Sequence, residues 1–190
     1  MSPRMGLTKD KIMETAANMA DSDGIGSVTI ANLAKKLKIQ PPSLYNHIQG
    51  LNELKTVMAI YGLNQLHDEM KEALGGKEGD KAVHALGDSY LAFSRSHPGL
   101  YEAALLAPEP GNTDVQAAGN RIVELALGTL HYLEISEQDA LHAVRGLRSV
   151  FHGFASLENK GGFEMDLSIN ESFQRMIDVF LKGIKTGGKQ

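Results

Sequence analysis

The sequence predicts an all-α protein of about nine helices, and three observations support this fold class. Apolar residues recur at helical spacing through most of the chain, and no segment shows the strict alternation of a strand. Leu, Ala, Met, Glu and Lys are abundant, whereas the 190 residues include only 6 Pro. Capping signals and glycine or proline stops separate the periodic segments. Together these features predict helices packed on helices, without a sheet.

Local signals place the first three helices. The first covers about residues 8–21, and a short second helix starts near Thr29. The third begins at or after Pro41 and Pro42. Proline is accepted there because the first N–H groups of a helix have no acceptor within the helix. We expect these three helices to form an amino-terminal domain of residues 1–50.

Residues 51–190 form the second expected domain and contain the longer helices. Ser136 with Asp139 imitates a capping box before the eighth helix, and glycine pairs mark several helix ends. Pro108 and Pro110 mark a linker. The expected helices cover about Leu51–Leu74, Asp80–Ser96, a segment opened by Pro98, Thr113–Glu134, Ala140–Asn159 and Ile169–Lys185.

Composition excludes several classes of site and predicts a compartment. The absence of Cys excludes disulfides, thiolate zinc sites and a cysteine nucleophile. The amino terminus lacks an apolar signal-peptide region, and no stretch of about 18 apolar residues occurs. We therefore expect a cytoplasmic protein that does not span a membrane.

The motifs of the common enzyme classes are missing. The sequence has no HExxH, no GxxxxGKS/T and no GxSxG. None of its 7 histidines pair at i, i+4, so a helical metal site is not predicted. We expect no enzymatic activity, no metal and no cofactor.

Charge is unevenly distributed along the chain. The net charge is −4, but residues 1–50 carry +2 and the remainder carries −6. Lys35, Lys36 and Lys38 lie close together, and the acid-free stretch that follows is long. Three lysines are more commonly a solvated face than a phosphate contact, so this distribution alone only permits nucleic acid as a partner.

The segment from Thr29 to Leu54 carries the strongest functional pattern. Two short helices joined by a turn of about three or four residues, both packed on a supporting first helix, describe a helix-turn-helix. The second helix would read DNA, because Pro41 and Pro42 fix its start and Ser43 offers a hydroxyl. Free N–H groups at the helix start could hold phosphates. Further donors within one turn are Tyr45, Asn46 and His47.

This segment resembles the amino-terminal domain of the tetracycline-repressor (TetR) family of bacterial transcription regulators. The family pattern runs Thr, a few residues, Ala, an apolar turn, then Leu-Tyr-x-His-apolar before a long helix. The resemblance implies a homodimer that binds double-stranded operator DNA and responds to a small-molecule effector. The matching positions are Thr29, Leu33-Ala34, Ile39, Leu44-Tyr45, His47-Ile48 and Leu54.

The chain departs from the family pattern at two places. Gln40 stands where many members cap the reading helix with Ser or Thr, and Gly50-Leu51 stands where many have a Lys that contacts phosphate. By resemblance, the phosphate contacts are Thr29, Tyr45 and His47, the base-facing residues are Pro41, Pro42 and Ser43, and Gln40 and Asn46 complete the predicted site.

Residues 51–190 are similar, more loosely, to a TetR-type ligand-binding domain of the WHG class. Phe151-His152-Gly153 stands at the position that names the class, with Phe151 in place of the usual Trp. The inducing ligand of that class is generally unassigned. The resemblance therefore implies an architecture and leaves the effector unidentified.

The eighth and ninth predicted helices indicate an interface with a second copy. The apolar arc of the eighth helix covers roughly half its circumference, which is wider than one core contact requires. Two glycines on one line of that helix suggest close helix approach, and the ninth helix carries one apolar stripe. A single monomeric core is the alternative. The expected interface residues are Gly146, Gly153, Phe173, Met176 and Phe180.

Four residues are candidates for the effector site. Arg148 falls inside the apolar arc, with His152 one turn on. A buried unpaired Arg is costly, so Arg148 needs an acidic partner, carbonyl groups or an anionic ligand. Tyr61 and Tyr90 either add hydroxyls to an apolar pocket or are core aromatics.

Residues and resemblance together predict a sequence-specific DNA-binding regulator, a repressor that a small-molecule effector releases from its operator. The alternative is a helical small-molecule-binding or adaptor protein that does not bind DNA. That alternative leaves the pattern between Thr29 and Leu54 unexplained. Salt-dependent binding to duplex DNA distinguishes the two.

Overall fold

A computed structural model describes residues 7–105 and 111–187, and it confirms the all-α prediction. This described part contains nine α-helices and two short 3₁₀ helices and has no strand. The linker residues Pro108 and Pro110 lie outside the described residues. The α-helices are α1 (Lys9–Asp23), α2 (Ile30–Lys36), α3 (Pro41–Leu44), α4 (Leu51–Leu74), α5 (Asp80–Ser96), α6 (Pro98–Leu105), α7 (Thr113–Leu130), α8 (Glu137–Asn159) and α9 (Ile169–Gly187); the 3₁₀ helices are Ile25–Ser27 and His131–Leu133.

The predicted helix bounds are largely confirmed, and α7 and α8 show the main differences. Helix α7 ends at Leu130 because the chain tightens into a 3₁₀ helix and then reverses at Glu134, which has a left-handed φ of 51°. Helix α8 begins earlier than expected, at Glu137, because Ser136 Oγ accepts the Asp139 N–H at 3.1 Å. Backbone geometry at the end of α7 and cap chemistry at the start of α8, rather than apolar periodicity, therefore set these two ends.

The helices group into two compact units. The first comprises Met1–Gln65 with Ser96–Ala118, and the second comprises Leu66–Arg95 with Gly119–Gln190. Helix α6 and the first part of α4 therefore cluster with α1, α2 and α3. The boundary between residues 50 and 51 stays a prediction about the division of function. No helix in the described ranges is both long and apolar enough to span a bilayer.

The core of the first unit joins α1, α2, α3 and α4. Ile12 of α1, Leu33 of α2, Leu44 of α3 and Leu54 of α4 are each 0% exposed and belong to one apolar cluster. Burying such side chains contributes about 1.5–3 kcal/mol each. These contacts hold short helices that would not be stable in isolation.

An aromatic cluster forms the core of the second unit, where α5 meets α8 and α9. Phe173 is 0% exposed, and its ring centroid lies 5.5 Å from that of Phe151 and 5.1 Å from that of Phe154. Gly87 of α5 faces this cluster. A Cβ at Gly87 would lie 2.8 Å from Ile177 Cδ1 and 3.1 Å from each of two phenylalanine rings. Helix α5 can therefore pack this closely on the aromatic cluster only because residue 87 is a glycine.

A polar cluster ties the start of α5 to α9 and to the second 3₁₀ helix. Asp80 accepts hydrogen bonds from Lys185 Nζ at 2.6 Å and from the Tyr132 hydroxyl. These two donors hold the pKa of Asp80 below its usual range. Burial, followed by the hydrogen bond to the Asp80 carboxylate, raises the pKa of Tyr132 above its ordinary value.

Two glycine substitutions should change stability in opposite directions. Gly87→Ala overpacks buried neighbours, so we expect it to lower the free energy of unfolding by about 1–3 kcal/mol. Gly128→Ala in α7 meets nothing within 4 Å and should raise it by up to about 1 kcal/mol through helix propensity. Urea denaturation of both variants measures the two effects. Equal shifts of the two midpoints would contradict this account.

Candidate nucleic-acid interface

Thr29 starts α2 as its N-cap. Its Oγ1 accepts the Asn32 N–H at 3.1 Å, and its carbonyl accepts the Leu33 N–H at 2.9 Å. The cap uses the hydroxyl oxygen as an acceptor, so the hydroxyl proton can still be donated. A capping threonine at this place can therefore also contact a phosphate oxygen.

The turn between α2 and α3 is closed by a left-handed residue. Lys38 has φ of 57°, and its N–H donates to Lys35 O at 3.1 Å, while the Ile39 N–H donates to Ala34 O at 3.0 Å. This is the Schellman pattern, in which glycine is the usual residue at the left-handed position. Lysine adopts it here at a conformational cost, because the burial of Leu33 and Leu44 on both sides fixes the turn.

Helix α3 is a single turn set by its two prolines. Gln40 is extended, with φ of −83° and ψ of 142°, as the residue before a proline must be, and it makes no side-chain cap. The expectation that free N–H groups at this helix start hold phosphates is wrong. Pro41 and Pro42 have no N–H, and the Ser43 N–H donates to Gln40 O at 2.9 Å.

We call α3 and its continuation to Ile48 the reading turn. Its buried and exposed residues are clearly distinct. Leu44 is 0% exposed, whereas Tyr45 is 56% exposed, so Tyr45 is not a core residue. The Leu44 carbonyl accepts the His47 N–H at 2.9 Å and the Ile48 N–H at 3.0 Å, which continues the turn past the end of α3. Among the other predicted DNA contacts, Gln40, Pro42 and Asn46 are exposed, and Thr29, Pro41, Ser43 and His47 are half-buried.

The charges around this turn favour a polyanion. Three lysines are exposed here: Lys35 and Lys36 in the last turn of α2, and Lys38 in the turn that follows. No acidic residue occurs between Asp23 and Glu53. The predicted site omitted these lysines, although their spacing in the sequence could have indicated them. Their position at the end of α2 and in the turn before α3, rather than charge alone, makes them candidate phosphate contacts.

The first turn of α4 contains one acidic residue, Glu53. The Glu53 carboxylate accepts the backbone N–H of Gln49, which closes the turn between α3 and α4. Glu53 therefore supports the backbone that follows His47. The phosphate contact that the resemblance places at Gly50-Leu51 has no side-chain equivalent there, because neither residue carries a polar side chain.

The five residues predicted for the dimer interface differ in their surroundings within the protomer. Phe173 is 0% exposed in the aromatic cluster, so its assignment to the interface is corrected to the core of its own chain. Gly146 packs on Phe180 of the same chain, since a Cβ there would lie 2.4 Å from the Phe180 ring. Gly153 faces open space, and Met176 is 44% exposed.

The expectation that Arg148 is buried is wrong. The buried residues of α8 form a narrower stripe than its apolar residues do, and Arg148 lies beside that stripe in an exposed position. Leu141, on the far side of Arg148, is 46% exposed. The side chain consequently needs no partner within the protomer. The buried stripe consists of Ala143, Val144, Leu147, Phe151 and Ala155.

The other predicted effector residues lie in different places. Tyr61, in the first unit, accepts a hydrogen bond from Gln65 Nε2 at 2.8 Å. Tyr90, in the second unit, is 6% exposed, and its ring centroid lies 5.8 Å from that of Phe151. His152 is half-buried. The second unit has clefts of about 440, 530 and 460 Å³, and none of these three is lined by Tyr90, Arg148 or His152.

Comparison with known sequences identifies the carboxy-terminal part. Residues 83–180 match the family described as "Tetracyclin repressor-like, C-terminal domain". This range includes the Phe151-His152-Gly153 triplet; assignment to the WHG class within the family stays a prediction. The whole chain is 41% identical over 192 residues to the uncharacterized HTH-type transcriptional regulator YobS of Bacillus subtilis (strain 168), covering 100% of this chain and 98% of that protein.

Solved structures share the fold. A protein of unknown function from Rhodococcus sp. RHA1 superimposes with a TM-score of 0.83 at 20% identity, covering 96% of this chain and 98% of the other. A TetR variant from Acinetobacter baumannii AYE in complex with minocycline gives a TM-score of 0.71 at 19% identity, covering 97% and 100%. The family match, the whole-length relative and the helix-turn-helix geometry lead to one conclusion: the chain belongs to the TetR family of HTH-type transcriptional regulators.

Proposed function

We propose that this protein is a homodimeric repressor that binds operator DNA through the turn at α3 and is released from it by a small-molecule effector. The observation that carries the proposal is the reading turn itself. Tyr45 projects into solvent beside the fully buried Leu44, in a stretch with three exposed lysines and no acid. A rigid polar projection on a positively charged surface suits a major groove.

The roles of the site residues follow from their chemistry. Tyr45 and His47 carry single donors, which suit phosphate oxygens and position the protein without reading sequence. Ser43 is small and sits in the first turn after two rigid prolines, where its hydroxyl can meet a base edge. Asn46 is exposed and can donate and accept at once. Gln40 can reach either a phosphate or a base.

Changes at phosphate contacts and at base contacts should have different consequences. Tyr45→Phe and His47→Ala should weaken binding to all duplexes about equally, with a salt slope shallower by up to about one unit if a full charge is lost. Ser43→Ala should relax sequence preference at one position by at most about 1–3 kcal/mol and leave binding to random DNA unchanged. Fluorescence anisotropy measures both effects on two duplexes: one selected from a random library by the unmodified protein, and one of random sequence.

Tyr132→Phe is the matched control for Tyr45→Phe, because it removes a hydroxyl in the other unit. It should leave DNA affinity unchanged. Uniform effects of all variants on both duplexes would show that the assigned roles are wrong. Absence of any salt-dependent duplex binding by the unmodified protein would favour the alternative, a helical adaptor or small-molecule-binding protein.

The homodimer is proposed to form through the free faces of α8 and α9. Val179 is 66% exposed, Met176 is 44% exposed, and Leu157 near the end of α8 is 49% exposed. Gly153 leaves room for another helix to approach. Exposed apolar residues on two adjacent helices offer apolar surface to a second copy. Two copies would present two reading turns to successive major grooves, spaced about 34–36 Å apart.

Gly153→Arg should give a folded monomer. The added side chain meets nothing within 4 Å in the protomer, so it would disturb only a partner that approaches there. Gly128→Arg, at an open glycine of α7, is the control and should remain dimeric. Gly146→Arg is unsuitable because it would strike Phe180 of its own chain. Sedimentation at micromolar concentration decides, and an unmodified protein that sediments as a monomer would contradict the dimer.

The effector is proposed to be a small molecule, as the family resemblance implies, acting by a population shift. Binding would favour dimers whose reading turns no longer match the half-sites, with a coupling of about 1–3 kcal/mol. Tyr61, Tyr90, Arg148 and His152 stay predicted contacts. Native mass spectrometry of the purified dimer tests for a retained ligand; a bound mass that dissociates when a selected duplex is added is the expected result.

A further inference from the structure

Helix α6 makes direct backbone contact with the end of α1. A Cβ built on Gly99 would lie 2.0 Å from Ala20 O and 2.7 Å from Asp21 N. No side chain larger than hydrogen fits this contact, because the nearest atoms are backbone rather than flexible side chains. The α6 residue Ala103, 4% exposed, also belongs to the same apolar cluster as Ile12.

Asp21 of α1 supplies the N-terminal cap of α6. Its Oδ1 accepts the Leu100 N–H at 2.8 Å, and its Oδ2 lies 2.9 Å from His97 Nδ1. The side chain of Asp21 is only 17% exposed. A capping side chain normally comes from the residue just before its own helix. Here it comes from a different helix, so the cap joins α6 to α1.

Helix α6 also packs on α4. A Cβ on Gly62 would lie 3.0 Å from Leu100 O and 3.3 Å from Ala104 Cβ. Leu100 thus takes part in both contacts: its N–H bonds to Asp21, and its carbonyl packs on Gly62. All of these residues belong to the first compact unit.

We propose that Asp21 is a positioning residue for DNA binding. It fixes α1, the helix that supports the reading turn, to α6. Helix α1 packs on α2 and α3 in one core, so a change in the tilt of α1 is shared by the reading turn. Only His97 separates α5 from α6, and its ring is held by Asp21. The inference rests on the proposed DNA binding.

The experiment compares full-length variants on two duplexes: one selected from a random library by the unmodified protein, and one of random sequence. Asp21→Ala removes the cap, and Gly99→Ala forces α6 away from α1 by a separate physical effect. We expect each variant to weaken binding to the selected duplex about fivefold or more, which is the effect on affinity that the loss of one helix cap would have. Affinity for the random duplex and the salt slope should not change.

Two further variants separate positioning from charge. Asp21→Asn should keep most of the affinity, because its amide oxygen still accepts the Leu100 N–H and its amide N–H can donate to the other tautomer of His97. Asp23→Ala removes the same charge two residues away, from an exposed side chain at the end of α1, and should match the unmodified protein. Amide exchange at Leu100 should accelerate in Asp21→Ala and Gly99→Ala only.

The outcomes are distinct. Normal selected-duplex affinity in folded Asp21→Ala and Gly99→Ala would overturn the proposal, as would an equal loss on both duplexes. If Asp21→Ala does not fold, Asp21→Glu takes its place with the same expectation of weakened selective binding, because it keeps the charge but moves the carboxylate away from the Leu100 N–H. If the unmodified protein binds no duplex, the proposed function fails, and the exchange rate of Leu100 then still reports whether Asp21 caps α6.

Discussion

The burial of Leu44 is the contact on which the DNA-binding region depends. Helix α3 has four residues and begins with two prolines, which have no N–H to donate, so its own hydrogen bonds stabilise it little. Its position comes from one side chain that is 0% exposed among Ile12, Leu33 and Leu54. Because Leu44 is anchored, its neighbour Tyr45 must project outwards. The reading turn is thus held rigid by its packing on a core to which four helices contribute.

Close helix approach recurs in both units, and each instance depends on a glycine. Gly99 lets α6 meet the backbone of α1, Gly87 lets α5 meet the aromatic cluster, and Gly146 receives Phe180. Glycine within a helix costs about 1 kcal/mol relative to alanine. The close contacts offset that cost by improved packing and by fixing the position of one helix on another. Gly153 differs because it faces open space in the protomer, and it is one of the residues proposed for the dimer interface.

Ion pairs and hydrogen bonds orient the helices of the second unit rather than stabilise them strongly. Arg95 pairs with Glu158 at 2.9 Å, and Lys185 pairs with Asp80 at 2.6 Å, but all four side chains are partly exposed. Exposed pairs contribute about 0–1 kcal/mol each. Their value lies in selecting one register between α5 and its neighbours α8 and α9. The aromatic cluster around Phe173 supplies the larger apolar contribution to stability.

The sequence by itself determined the helices and the reading turn. Caps such as Thr29 and Ser136 and the break at Pro98 are local signals, so the helix positions could be predicted from them closely. The apolar pattern around Leu44 placed the helix-turn-helix, since short-range spacing decides which residues face its core. Resemblance to a known family then supplied roles that spacing alone does not contain.

Tertiary structure decided what depends on residues far apart in the chain. Periodicity gave α8 a wide apolar arc but could not show which part its own chain covers, so Arg148 was wrongly placed inside and Phe173 at an interface. The absence of N–H groups at Pro41 and Pro42 could be inferred from the sequence. The Asp21 cap could not, because 79 residues separate Asp21 from Leu100. Local sequence encodes periodicity and capping; only packing brings distant donors, acceptors and glycines together.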